Sequence, residues 1–222
     1  MIHHHPADHH LLALASGQLD SGRGFVVSAH VEGCVACQRR TQEFLALGGE
    51  ILQHGEPVSL AADAFAQTLR RIDSPAPPDA ATAAVAAPAG FPSDAAALLP
   101  PRLLQGCTAE SWRWIGPGMR CSMIGVPHAA GANVFLLKIA PGRTLPRHTH
   151  AGCEFTQVLC GAFHDGRARF DAGDFDETDP QVTHQPVVTG EAECICLAYL
   201  DAPLRFESWI ARAAARWTGF QA

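Results

Sequence analysis

Lysine is nearly absent: Lys138 is the only one in 222 residues, and the arginines are scattered. The formal net charge is −6. Nucleic-acid binders carry a basic stripe or face; without one, direct contact with DNA or RNA is excluded, and any role in transcription falls to a protein partner. Long apolar runs are missing too. No stretch approaches the ~18 apolar residues of a membrane span. The apolar "LLALASG" (11–17) ends in small residues, but it is short for a signal core and no Lys or Arg precedes it. A soluble, cytoplasmic protein is expected. Internal repeats are absent. The eight cysteines show no staple framework: one pair, Cys34 and Cys37, sits near a histidine, and another, Cys194 and Cys196, flanks Ile195 in an apolar run. That argues against a disulfide-rich secreted module and for a reducing compartment. The early histidine run is broken by Pro6, Ala7 and Asp8, unlike an expression tag, and is read as native.

Apolar residues make up 47% of the chain, enough for real cores. Residues 1–72 read as four short helices, over 8–19 with Asp8 as N-cap, 21–31 from Ser21, 37–52 interrupted at Gly48 and Gly49, and 59–72 from Ser59. Together they give a small core of the kind a metal often staples. Residues 73–101 are almost entirely Ala, Pro, Ser, Asp and Gly and read as a linker. From 102 to 208 the texture is β, with short runs at 112–116, 133–142, 154–163, 167–175 and 192–200 separated by turn residues, as in a sandwich or barrel. The tail, 209–222, is expected to hold a last helix at 209–217. The fold class expected is α + β, a small four-helix domain followed by a β-sandwich or barrel.

Two constellations carry the chemistry. "HVEGCVAC" places His30, Cys34 and Cys37 as H-x3-C-x2-C. On one straight helix His30 and Cys37 would lie about 10 Å apart along the axis, whereas ligands of one zinc lie within ~4 Å of each other. The helix must therefore break between them, and Gly33 is the natural place. Cysteines opening a helix have a lowered pKa, which favours the thiolate a metal needs. The fourth corner must come from another element. His5 is the choice among His3, His4, His5, His9 and His10, which periodicity alone does not separate.

The second constellation, "GRTLPRHTHAGCEFTQVLCG" (142–161), fits the first cupin motif, G-x5-H-x-H-x3-E-x6-G, with Gly142, His148, His150, Glu154 and Gly161 in place. Residues two apart on a strand share a face, so His148 and His150 point inward and Glu154, of even offset, joins them. The second cupin motif survives only as Gly173 and His184; Asp179, Gln181 and Val188 replace its proline, glycine and asparagine. The metal set expected is His148, His150, Glu154 and His184, with zinc first and iron, manganese or nickel as alternatives. Cys153 has the opposite parity and is not counted as a ligand.

His5 followed by helix and then by H-x3-C-x2-C resembles the zinc-binding anti-sigma domain, and this resemblance is the main ground for His5. With a cupin-like domain behind it, closed by "CICLAYLDAPLRF" (194–206), nearly the whole chain outside the linker resembles the ChrR-type anti-sigma factors. The resemblance implies a structural zinc at His5, His30, Cys34 and Cys37. It also implies a clasp on an alternative sigma factor of the extracytoplasmic-function group, and a cupin domain tied to singlet oxygen or organic peroxides. The apolar face of 59–72 is the candidate sigma contact. Cys194 and Cys196 share strand parity and are oxidisable, as are metal-bound histidines; a change there would alter domain packing and release sigma. A regulator rather than an enzyme is expected. The alternatives are a metal-dependent cupin dioxygenase and a small-ligand sensor with the helices as accessory.

Overall fold

The computed structural model describes residues 1–74, 90–129 and 131–218. Most of the expected linker, 75–89, lies outside them. Helix α1 (Asp8–Ala15) starts from Ala7 rather than from Asp8 as cap, and stops short of residue 19. Gly17, at φ 68°, turns the chain there, since glycine enters the left-handed region without a Cβ penalty. Helix α2 (Ser21–Gly33) is capped by Asp20, whose carboxylate accepts the Arg23 amide. Cys34 then lies in extended backbone, φ −118° and ψ 105°, before α3 (Val35–Gln53). The break at Gly33 is where zinc geometry required one.

Two further helices differ from expectation. Gly48 and Gly49 do not interrupt α3: glycine costs ~1 kcal/mol against alanine in a helix, and here it lengthens nothing and breaks nothing. The helix expected over 59–72 is α4 (Ala64–Asp73), because a turn closed by the Ala64 amide on the Ala61 carbonyl precedes it. A short helix α5 (Ser93–Ala96) and a 3-10 turn (Pro101–Leu104) lead into the β region, and α6 (Trp209–Thr218) follows it.

The β region is antiparallel throughout. The main sheet has the order β1 (Thr108–Ala109), β3 (Met119–Gly125), β4 (Asn133–Ile139), β12 (Cys194–Leu200), β6 (Glu154–Cys160), β9 (Phe175–Thr178), with β2 (Arg113–Gly116) on β3. A second sheet runs β10 (Thr183–His184), β5 (His148–His150), β13 (Leu204–Phe206), and a third β11 (Val187–Val188), β7 (Ala162–His164), β8 (Arg169–Asp171). Every residue of β12 is buried, because the main sheet is covered on both faces. Cys194 and Cys196 point into the barrel with Val158 and Phe163. Ile195, Leu197 and Tyr199 point outward, into a core shared with Leu11, Phe25, Val26 and Val27 of α1 and α2.

The four helices therefore do not make a small core of their own. α1 and α2 spend their apolar faces on the sheet, and burying each Phe or Val there contributes about 1.5–3 kcal/mol. Phe91, Ala95 and Leu99, within the segment read as linker, pack into the same core. By contrast Cys37 is the only buried residue of α3, and α4 has none. Phe65, Leu69 and Ile72 form an i, i+4, i+7 stripe on α4 that faces solvent, Phe65 at 76% exposure and Ile72 at 71%.

Gly161, the last glycine of the cupin motif, sits at φ 73°, and a Cβ there would overlap the Glu193 carbonyl. Gly161→Ala is expected to cost roughly 1–3 kcal/mol, seen as a fall of roughly 3–10 °C in the cupin melting transition; an unchanged midpoint in calorimetry would contradict this packing.

Candidate metal centres

On the helical side, His30 in the last turn of α2, Cys34 at the joint and Cys37 in the first turn of α3 face one point. The N-terminal arm brings His5 to the same point. His5 Nδ1 lies 3.3 Å from His30 Nε2 and 3.4 Å from each of the Cys34 and Cys37 sulfurs. All four donor atoms lie within 4.8 Å of one another, close enough to converge on one tetrahedral ion. Of the other early histidines, none joins this group: the His3 and His4 backbone amides donate to Asp174 Oδ1, the His4 ring packs on Phe170, the His9 ring lies against His10, and His10 meets Glu177 at 2.8 Å.

Burial pushes the His30 imidazole down to about 4, against a hydrogen bond from its Nδ1 to Gln157. It is therefore neutral at physiological pH, as a metal ligand must be. Cys37 departs from expectation: burial and the neighbouring Cys34 push its thiol up to about 12, so the helix start does not by itself make a thiolate. A pair of buried thiols with two imidazole nitrogens suits a soft-to-borderline dication, which would itself favour the deprotonated sulfurs.

On the cupin side, β5 supplies His148 and His150, the first residue of β6 is Glu154, and β10 supplies His184. The Nε2 atoms of His150 and His148 lie 3.1 and 3.0 Å from that of His184. Glu154 Oε2 is 3.2 Å from His150 Nε2 and 3.7 Å from His184 Nε2. His148 Nδ1–H donates to the Pro146 carbonyl at 2.7 Å, which turns the Nε2 lone pair inward. Burial holds His150 down to about 3 and His184 to about 4, and burial beside Asp176 raises Glu154 to about 8. Three neutral imidazoles and a carboxyl group converge with few donors between them, an arrangement that fits a cation.

Three residues of this centre escaped the sequence reading. Asp165 Oδ2 stands 3.5 Å from His184 Nδ1. Arg167 bridges Asp165 at 2.5 Å and both oxygens of Asp176 at 2.8 Å. Such outer groups orient the ligands. The signal available was the short "DGR" turn and an acidic residue at alternate positions, Asp174 and Asp176, on a strand. A cavity of about 40 Å³ adjoins the centre, lined by His148, Glu154, His184, Cys194 and Cys196 among others. The two sulfurs are 3.6 Å apart, and Cys194 followed by burial raises the Cys196 thiol. Cys153 belongs to neither ligand group among the described residues.

Fold and sites together define a two-part protein, a helical Cys/His segment seated on a cupin barrel with its own His/Glu cluster. Residues 101–202 match the family described as the ChrR cupin-like domain. The anti-sigma-E factor ChrR of Cereibacter sphaeroides is 37% identical over 213 residues, covering 94% of this chain and 94% of that protein. The crystal structure of Rhodobacter sphaeroides SigE in complex with the anti-sigma ChrR aligns with a TM-score of 0.71 at 33% identity, over 90% of this chain and 100% of that one. The chain belongs to the ChrR-type anti-sigma family.

Proposed function

We propose that this protein is an anti-sigma factor, binding and inhibiting a sigma factor of the extracytoplasmic-function type in the cytoplasm. The observation that carries it is the solvent-facing stripe Phe65, Leu69, Ile72 on α4, in a chain whose relative of 37% identity is named an anti-sigma factor. A stripe of that size on a helix with no buried residue fits a partner groove better than an intramolecular core. Residues 1–72 form the sigma-binding part and 102–208 the cupin part.

In this reading His5, His30, Cys34 and Cys37 hold a structural zinc. His148, His150, Glu154 and His184 hold a second divalent metal, zinc first, with iron, manganese or nickel as alternatives. Zinc in the helical part supplies a cross-link that fixes the angle between α2 and α3. The residues of this chain do the rest: α2 anchors on the sheet, and α3 and α4 project the apolar surface. The cupin part receives an oxidative signal such as singlet oxygen or organic peroxide, with the paired sulfurs of Cys194 and Cys196 at the cavity wall. A regulator is favoured over a cupin dioxygenase because the second cupin motif is degraded and the neighbouring cavity is only about 40 Å³, far below the ~300 Å³ of an ordinary ligand pocket.

The test is co-expression with sigma subunits of this type followed by capture and by transcription from a sigma-dependent promoter. A stable complex and inhibition are expected; a chain that captures no such sigma and leaves transcription untouched sinks the reading. Metal analysis of the same preparation is expected to give two ions per chain, one in Cys37→Ala and one in His150→Ala. Equal metal content in all three would remove the ligand assignments.

A further inference from the structure

One of the four helical-side ligands, His30, is aimed by a residue of the cupin sheet, and the arm that carries a second, His5, is pinned beside that sheet. Gln157 of β6 is buried, 4% exposed. Its Oε1 accepts the Nδ1–H of His30 at 2.9 Å, and its own amide is fixed by donating to the Val158 carbonyl at 3.0 Å. With Nδ1 so engaged, the His30 Nε2 lone pair is left to face His5 and the sulfurs. Next to Gln157 in register stands Phe175 of β9. The Phe175 amide donates to the His4 carbonyl at 3.1 Å, while Asp174 Oδ1 accepts the amides of His3 and His4 at 2.7 and 3.0 Å. The arm is thereby laid along the sheet edge up to His5.

β6 is also the strand of the cupin centre. Its Glu154 and Thr156 line the inner cavity, and Val158 packs within the barrel. Phe155 and Gln157, of opposite parity, face the helices. One strand thus presents a cupin ligand on its inner face and the partner of a helical-side ligand on its outer face.

We propose that Gln157 is a positioning residue for the helical-side metal: a cupin-strand carboxamide that fixes the tautomer and ring direction of His30, so that the affinity of the anti-sigma centre is set in part by the cupin sheet. This rests on the reading that His5, His30, Cys34 and Cys37 hold a metal. Outer-shell partners of ligating histidines typically change metal affinity by about 10–100-fold when removed, and a carboxylate in that role serves as well as a carboxamide.

The experiment titrates the full-length metal-free protein with cobalt and follows the thiolate-to-cobalt charge-transfer band, which reports the Cys34 and Cys37 centre alone; zinc affinity comes from competition with a chromophoric chelator. Gln157→Leu and Gln157→Met, which fill the space without an acceptor, are expected to weaken the thiolate centre about 10–100-fold. Gln157→Glu is expected to stay within a few-fold of the parent. Parent-like affinity in Leu and Met overturns the proposal. So does an equal loss in Glu, which keeps an acceptor for His30 Nδ1 and would mean that the affinity depends on something other than that hydrogen bond. If the parent protein shows no thiolate-to-cobalt band, the helical-side metal centre itself falls, a result distinct from a band that ignores Gln157.

Discussion

Phe65→Asp and Leu69→Asp on α4 are expected to weaken sigma binding by about 30-fold or more each while leaving the melting temperature within a few degrees of the parent. Phe65 is 76% exposed and Leu69 43%, and no residue of α4 is buried, so the folded chain loses little when either becomes polar. Substitutions at such surface positions usually stay within ±0.5 kcal/mol of stability. A complex behaves differently. An aromatic or aliphatic anchor buried at the centre of an interface costs about 2 kcal/mol or more when removed, and ~1.4 kcal/mol is tenfold in affinity. A carboxylate placed there adds its own desolvation penalty. Affinity by calorimetry beside thermal melts of the free proteins checks both halves. Parent-like affinity would move the sigma contact off α4, and a collapse in melting temperature would mean that the stripe serves the fold.

Much of this architecture was legible because chemistry at fixed spacing survives any ignorance of packing. H-x3-C-x2-C cannot close on one ion within a straight helix, so the break at Gly33 followed from bond lengths alone. Strand parity brought His148 and His150 to one face of β5; Glu154, expected to join them by even offset, arrives instead from β6 in the main sheet, and His184, the surviving ligand of the second cupin motif, from β10. What could not be read was which face each helix spends, and on what. Val26 and Val27 were apolar in a short helix; that they cover β6 and β12 rather than a helical core depends on long-range docking. Phe91, Ala95 and Leu99 looked like linker because a few apolar residues scattered among Ala, Pro, Gly and Ser carry no periodic signal, yet they pack into the core shared by α1, α2 and the main sheet. Gln157 sits inside a metal motif as an unremarked polar residue; its partner His30 is 127 positions away in sequence. The thiol of Cys37 differs from expectation for a related reason: burial beside Cys34, invisible locally, outweighs the helix start.

Removing the helical-side metal, by a strong chelator or by Cys37→Ser, is expected to dissolve α3 and α4 while α1, α2 and the barrel persist, and to lower sigma affinity more than about 100-fold. The asymmetry follows from where burial lies. Phe25, Val26 and Val27 tie α2 into the shared core, and Leu11 does the same for α1. α3 spans 19 residues with Cys37 as its only buried one; beyond that it has the half-buried Phe44 and the exposed Arg40–Asp8 pair to α1. Exposed pairs are worth about 0–1 kcal/mol, and most helical stability in proteins comes from tertiary packing of an apolar face, of which α3 has little. Structural zinc supplies an apparent ~10–16 kcal/mol in small peptide sites near neutral pH, which dwarfs both. Without it the Cys37 thiol, raised to about 12 by burial and the neighbouring Cys34, stays protonated, and the cross-link joining the arm, α2 and α3 is gone. Hydrogen exchange by mass spectrometry reads the result by segment. Amides of 38–53 should lose protection in the metal-free protein, while those of 25–30 and of β12 keep theirs. If 38–53 stays protected and sigma stays bound after exhaustive chelation, packing rather than a metal holds the clasp, and the helical-side centre is not structural.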